Sequence, residues 1–292
     1  MSYDFSILDE LNIDHEVLRG GGFGLVRTVT QVEPGVQNAV SFAESEKFLR
    51  QVAEKEGISS VFVTRDIGRF ALDEFSGGVC AVAEPRAVFY KVHNYIVNAD
   101  DGQNRSAPQI DATADIHPSA TLPDHDLKIG RNVRIHANVV IYPKTYIGDG
   151  VIIRENSVIG TPAYYYLQDG GMHVPVQSAG SVVIGDAVEL HSLVSIERGV
   201  FGGATVIGPN VKIDNGCSVG HDAQIGAGTL MAGSSLMGAF VKCGKGVFVG
   251  VGVTVVPETT IGDGAFLCAG SLVAKEVMSG TKVFGVPARR VE

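Results

Sequence analysis

Across residues 207–273 an apolar or thiol side chain returns at every sixth position: Ile207, Ile213, Val219, Ile225, Met231, Met237, Cys243, Val249, Val255, Ile261, Leu267 and Val273. A helix period of about 3.6 residues would scatter these positions around its circumference, and a single strand of period two cannot run that far in a compact domain. The pattern predicts a β-solenoid. Each hexad lays down a short strand and a corner, three hexads close one triangular coil, and residues one coil apart stack at roughly 4.8 Å. The sixth-residue side chains then fill the prism. Glycine follows many of them (Gly208, Gly220, Gly226, Gly238, Gly244, Gly250, Gly262), which is read as a corner needing unusual dihedrals. The small residues elsewhere are read as flat outer walls.

The repeat starts at Ile110, Ile116 and Leu122, slips by one residue, and holds strict sixes from Ile129 through Ile135, Ile141, Ile147, Ile153 and Ile159. Residues 160–181, GTPAYYYLQDGGMHVPVQSAGS, lose the period in a loop too long for a corner, and such loops usually carry function. Ile184, Leu190 and Ile196 restore the beat, and an insert, ERGVFGGAT, precedes the long run. Residues 1–105 show no hexads. There SEKFLRQVAEKEG (45–57) reads as an amphipathic helix, SVFVT (60–64) and residues 79–82 as buried strands, and Pro85 as the start of a second helix. The polar stretch 99–108 is the expected linker. The fold class is therefore mainly β: a hexapeptide-repeat parallel β-helix over 106–292 with a small N-terminal α/β domain over 1–105.

The net charge is −9 and the isoelectric point about 5.4, with no clustered Lys and Arg, so no nucleic-acid partner is expected. The first residues are acidic and lack an apolar leader, and no run of about 18 apolar residues occurs, so a cytoplasmic location is expected. Cys80, Cys217, Cys243 and Cys268 form no CxxC pair and read as reduced packing residues. Neither HxH nor HExxH is present, so no metal site is expected.

His221 follows Val219-Gly220 within the regular run, at a position whose side chain points outward from the prism. A neutral imidazole there could take a proton from an amine, its ordinary pKa being near 6.5; a wall histidine touching a neighbouring subunit is the other reading. Asp222 and Asp214 are both candidates to orient the ring. His136, His173 and His191 are weaker candidates. The triplet Tyr164, Tyr165 and Tyr166 could close over a ligand or anchor the long loop.

With these residues in view the chain resembles the UDP-3-O-acylglucosamine N-acyltransferases of lipid A and lipopolysaccharide biosynthesis. VRTVTQVEPGVQNAVSFAESEKF, SSVFVT and AVAEPRAVFYKV are similar to that family's uridine-binding module. HANVVIYPKTYIGDGVIIRENSVIG, VVIGDAVEL, IERGVFGGATVIGPNVKIDN and SVGHDAQIG are similar to its repeat signatures. The resemblance implies a left-handed helix, a homotrimer with sites between neighbours, His221 as general base, the Ala239 backbone amide as oxyanion donor and Phe42 as the stacking partner of uracil. Ser45 stands where the module usually has Asn, and Glu258 where a second active-site histidine is common; both are assigned to the substrate, with the three tyrosines. The segments GVGVTVVPETTIGDGAFLCAGSLVAKEV and GVPARRV are more similar to CoA-dependent acetyltransferases of nucleotide-linked amino sugars. Together with the end of the sequence at Glu292 soon after the final coil, this favours a short acyl chain on CoA, whose phosphates Arg289 and Arg290 would meet. The expected function is an N-acyltransferase moving an acyl group from acyl-CoA or acyl carrier protein, used as co-substrate with no permanently bound cofactor, to the amine of a nucleotide-linked amino sugar. An O-acetyltransferase of surface-polysaccharide synthesis and a non-catalytic scaffold are the alternatives.

Overall fold

The computed structural model describes residues 2–28, 35–100 and 105–291. Residues 29–34 of the first family-like segment and 101–104 of the expected linker lie outside the described residues. The chain forms two compact units, Met1–Gln103 with Tyr164–Gln177, and Asn104–Ala163 with Ser178–Glu292.

The second unit is a parallel β-helix. Its three sheets have eight, ten and seven strands. The first face runs from Gln109–Ile110 to Thr260–Ile261, the second from Asp115–Ile116 to a terminal hairpin, and the third from Val140–Ile141 to Leu272–Val273. Core residues eighteen apart pair in register, Ile207 with Ile225 and Ile225 with Cys243. The predicted sixth-residue positions from Ile129 onward are buried in one continuous core. The hairpin of Lys282–Gly285 and Ala288–Val291 pairs with Phe266–Leu267 and covers the open strand there.

Two expectations about the repeat need correction. Many small residues assigned to the walls point inward: Val211, Val241, Val253, Thr229 and Ser235, each two positions before a core residue, are also buried. The buried hydroxyls serve the corners, since Thr229 Oγ1 donates to the Gly244 carbonyl at 3.1 Å and Ser235 Oγ to the Ala232 carbonyl at 2.7 Å. The glycine that follows a core residue is not there for an unusual dihedral either. It is there for space. At Gly226 a Cβ would lie 2.4 Å from the carbonyl carbon and oxygen of Gly244 in the next coil. The left-handed backbone falls two positions later, at Gly228 (φ +69°) and at Asn132, Asn138, Asn156, Asn210 and Asp222 among others, residue types that tolerate it.

The first unit is an α/β module. Among the described residues its five-stranded sheet runs in the order His15–Arg19, Gly78–Val82, Ile58–Thr64, Ala39–Ala43, Leu25–Val26, with the His15–Arg19 edge antiparallel and the other pairings parallel. Helices Glu46–Ala53, Gly68–Glu74 and Pro85–Asp100 connect and flank it. The long loop from the repeats is not irregular: Tyr166–Asp169 and Met172–Pro175 form an antiparallel hairpin that belongs to this unit. Asn94 receives the Gln177 backbone N–H at 2.8 Å and donates to the Pro175 carbonyl at 2.9 Å, while the His93 ring donates to the Gln177 carbonyl at 2.8 Å. Burial holds the His93 pKa down to about 4. The free thiols of Cys80 and Cys243 are buried and pushed up to about 12 by desolvation.

The two kinds of glycine predict different costs. Gly226→Ala is expected to lower unfolding stability by several kcal/mol through steric strain between coils, whereas Gly228→Asn, in open space at positive φ, should cost about 1 kcal/mol or less. Urea titration of both variants measures the difference, and equal losses would refute the close-approach account.

Candidate active site

The third face carries strands Ser195–Glu197, Ser218–Val219, Leu236–Met237 and Thr254–Val255, and the corners after them stack. The coil between Ile196 and its partner Val219 is longer than eighteen residues because it holds the ERGVFGGAT insert. That insert folds over the next corner. Asp222 Oδ2 accepts from the Val200 N–H at 3.0 Å, the Asp222 N–H donates to Thr205 Oγ1 at 2.8 Å, and the His221 N–H donates to Glu197 Oε2 at 3.2 Å. Gly199 and Gly203 line the carboxylate so closely that a Cβ on either would lie 2.9 or 2.5 Å from Asp222 Oδ1.

His221 is consequently not on an open wall, as its place in the hexad suggests. It lies outside the apolar core, yet its side chain is only 5% exposed. Its Nδ1 lies 3.0 Å from Asp222 Oδ2. Asp222 is thus the carboxylate in reach of the ring, while Asp214 faces His191 at 3.8 Å. A carboxylate at Nδ1 holds the proton there and turns Nε2 into the basic nitrogen. The ring of Phe240 meets the imidazole edge-on, centroids 4.9 Å apart at 85°, from a left-handed backbone (φ 58°) unusual for an aromatic residue.

Ala239 occupies the corner one coil above. A Cβ on Gly220 would lie 2.7 Å from the Ala239 nitrogen, so this amide sits directly over the residue preceding His221. Its carbonyl accepts from the Glu258 N–H at 2.9 Å, and its own N–H donates to no group among the described residues. Glu258 is exposed, one coil further still.

The remaining predicted residues are elsewhere. Arg289 and Arg290 are exposed on the terminal hairpin. In the first unit Phe42 is half-buried against Phe89 (5.0 Å) and Tyr90 (6.4 Å). Ser45, assigned to the substrate from sequence, is the N-cap of helix Glu46–Ala53, its hydroxyl accepting from the Phe48 N–H at 3.4 Å. The cap is its local use because a Ser before a helix can satisfy one of the orphan amides. The tyrosine triplet divides: Tyr165 anchors, its Oη 2.8 Å from Tyr90 Oη, while Tyr164 and Tyr166 are exposed and meet each other edge-on at 5.1 Å. Burial, first, and the Tyr165 hydrogen bond hold the Tyr90 phenol above its ordinary range. Sequence reasoning missed Glu197 and Thr205; the insert just before His221 was the available signal. Among the described residues no group of three His, Cys, Asp or Glu side chains could hold a metal ion, and no helix is long and apolar enough to cross a membrane.

The fold and corner geometry define a hexapeptide-repeat β-helix. Residues 126–161 and 204–239 match the family described as bacterial transferase hexapeptide (six repeats), and the second segment contains both His221 and Ala239. The chain is similar to UDP-3-O-acylglucosamine N-acyltransferases, at 36% identity over 155 residues to that of Herminiimonas arsenicoxydans and 32% over 154 residues to that of Janthinobacterium sp. (strain Marseille). Each match covers 51% of this chain and 44% of the relative, so the chain spans less than half the length of these relatives. A crystal structure of a UDP-N-acetylglucosamine acyltransferase superposes with a TM-score of 0.51 at 22% identity, covering 63% of this chain and 71% of that one, and the shared fold is the left-handed parallel β-helix.

The carboxylate clamp yields a specific expectation. Gly203→Ala should displace Asp222 from His221 and lower activity by at least about tenfold, with the melting temperature falling only slightly, because Gly203 itself is only partly buried and is not part of the continuous apolar core. Turnover with the proposed substrates, measured beside thermal unfolding, checks it; unchanged turnover would show that the clamp does not set the ring.

Proposed function

We propose that the chain is an N-acyltransferase moving an acyl group from a phosphopantetheine thioester to the amine of a nucleotide-linked amino sugar. The observation that carries this reading is the shielded His221–Asp222 pair beneath the Ala239 amide. His221 Nε2 takes the proton as the amine nitrogen attacks the thioester carbonyl, and Asp222 balances the imidazolium. The oxygen gathers negative charge, which the Ala239 N–H stabilises by roughly 3 kcal/mol if well placed. The carbonyl re-forms, the C–S bond breaks, and the thiolate takes up the proton held by His221. The relatives named for N-acylation of a UDP-linked amino sugar support the amine acceptor. The first unit is the nucleotide-binding part, with Phe42 as its aromatic platform.

On this reading His221→Ala lowers turnover by at least about a hundredfold, since a positioned base is worth roughly 10² to 10⁴. Thiol release from acyl-CoA with a UDP-amino sugar measures it, and circular dichroism checks folding because the ring is enclosed. Near-normal turnover in a folded variant would remove His221 from the mechanism. The acting species is a homotrimer, so light scattering should give three times the chain mass; a monomer would contradict this.

The donor is a short acyl chain on CoA, with Arg289 and Arg290 exposed to meet phosphates. Acetyl-CoA should then show a higher kcat/KM than a 3-hydroxyacyl carrier protein. The reverse order would transfer the assignment to carrier-protein donors.

A further inference from the structure

Arg86 lies in the first turn of helix Pro85–Asp100, with its guanidinium carbon 5.6 Å from the centroid of the Phe42 ring. Its Nη2 also donates to Glu44 Oε2 at 2.8 Å. The Arg86 side chain is 55% exposed, and both contacts are of the weak surface kind, a solvated cation–π contact and an exposed ion pair. Phe42 in turn is fixed, packed on Phe89 and Tyr90 from the same helix and, through Tyr90, tied to Tyr165 immediately before the hairpin. A rigid aromatic ring is therefore topped by a loosely held cation.

A planar base stacking on Phe42 must compete with Arg86 for that ring. The two are not rivals for affinity, however, if the base arrives with phosphates attached. A guanidinium moved from the ring stays tethered beside it, and its planar fork fits phosphate oxygens bidentately, with each charge-assisted hydrogen bond stronger than the contact given up. Glu44 would then lose its partner to a more highly charged anion.

We propose that Arg86 binds the diphosphate of the sugar nucleotide, exchanging the Phe42 face and the Glu44 carboxylate for phosphate oxygens when the base stacks. This rests on the reading of the first unit as the nucleotide-binding part. It assigns to one residue the discrimination between a nucleoside and its diphosphate. Arg86→Ala should remove that discrimination while leaving the stacking platform intact, and Glu44→Gln should strengthen diphosphate binding by releasing the guanidinium.

Isothermal titration of the full chain with uridine and with UDP, at low and at raised salt, tests this. The wild-type protein should bind UDP at least about tenfold more tightly than uridine, with the difference shrinking as salt rises. In Arg86→Ala the two ligands should bind about equally, with uridine no weaker than in the wild type. If Arg86→Ala keeps the UDP advantage, or weakens both ligands alike, the assignment is overturned while the nucleotide reading stands. If the wild-type protein binds neither ligand, both fall together; loss of uridine binding in Phe42→Ala identifies the platform independently of Arg86.

Discussion

The close approach of one coil to the next governs this structure. Backbone hydrogen bonds between coils demand the spacing of a parallel sheet at every corner as well as along every face, and at the corners no Cβ fits between Gly226 and Gly244. A side chain at Gly226 would prise that corner apart. Once that spacing is fixed, equivalent corners lie directly above one another, and a side chain in one coil has defined neighbours in the next. Asp149 accepting from the Arg131 amide and Asp263 from the Lys245 amide show the consequence in ordinary corners.

The corner at His221 departs from this pattern. Instead of a single capping carboxylate, an insert closes over Asp222 through Gly199 and Gly203 and shields the histidine from water. Shielding strengthens the attraction between the imidazole and its carboxylate. Above it the stack reaches Ala239 and then Pro257, which lacks an N–H and has no carboxylate to offer the amide below. The Ala239 amide thus keeps its donor, where Arg131 and Lys245 lose theirs.

Most of the helix was legible because period six is a direct physical statement about which side chains fill a prism, and Ile207 to Val273 obey it without a slip. The purpose of the glycines was not legible, since space and dihedral freedom leave the same letter in the sequence. His221 stood out, but its enclosure depended on residues 197–205 of the preceding coil, which local reading treats as an interruption. Ser45, assigned to the substrate through the resemblance, also caps helix Glu46–Ala53, a local use that its position before the helix makes legible. The hairpin of residues 166–175 was legible only as a loop of unusual length, because the surface it packs on is set by side chains of helix Pro85–Asp100 such as Tyr90, His93 and Asn94.

That hairpin also orders events in time. The α/β unit is discontinuous in sequence: residues 164–177 complete it, and they are made only after the first coils of the helix. As the chain leaves the ribosome, the sheet and the helix bearing His93 and Asn94 emerge first and must wait through some sixty further residues for their last strands. A nascent chain stopped before Gln177 would therefore lack the carbonyl that the buried His93 ring meets.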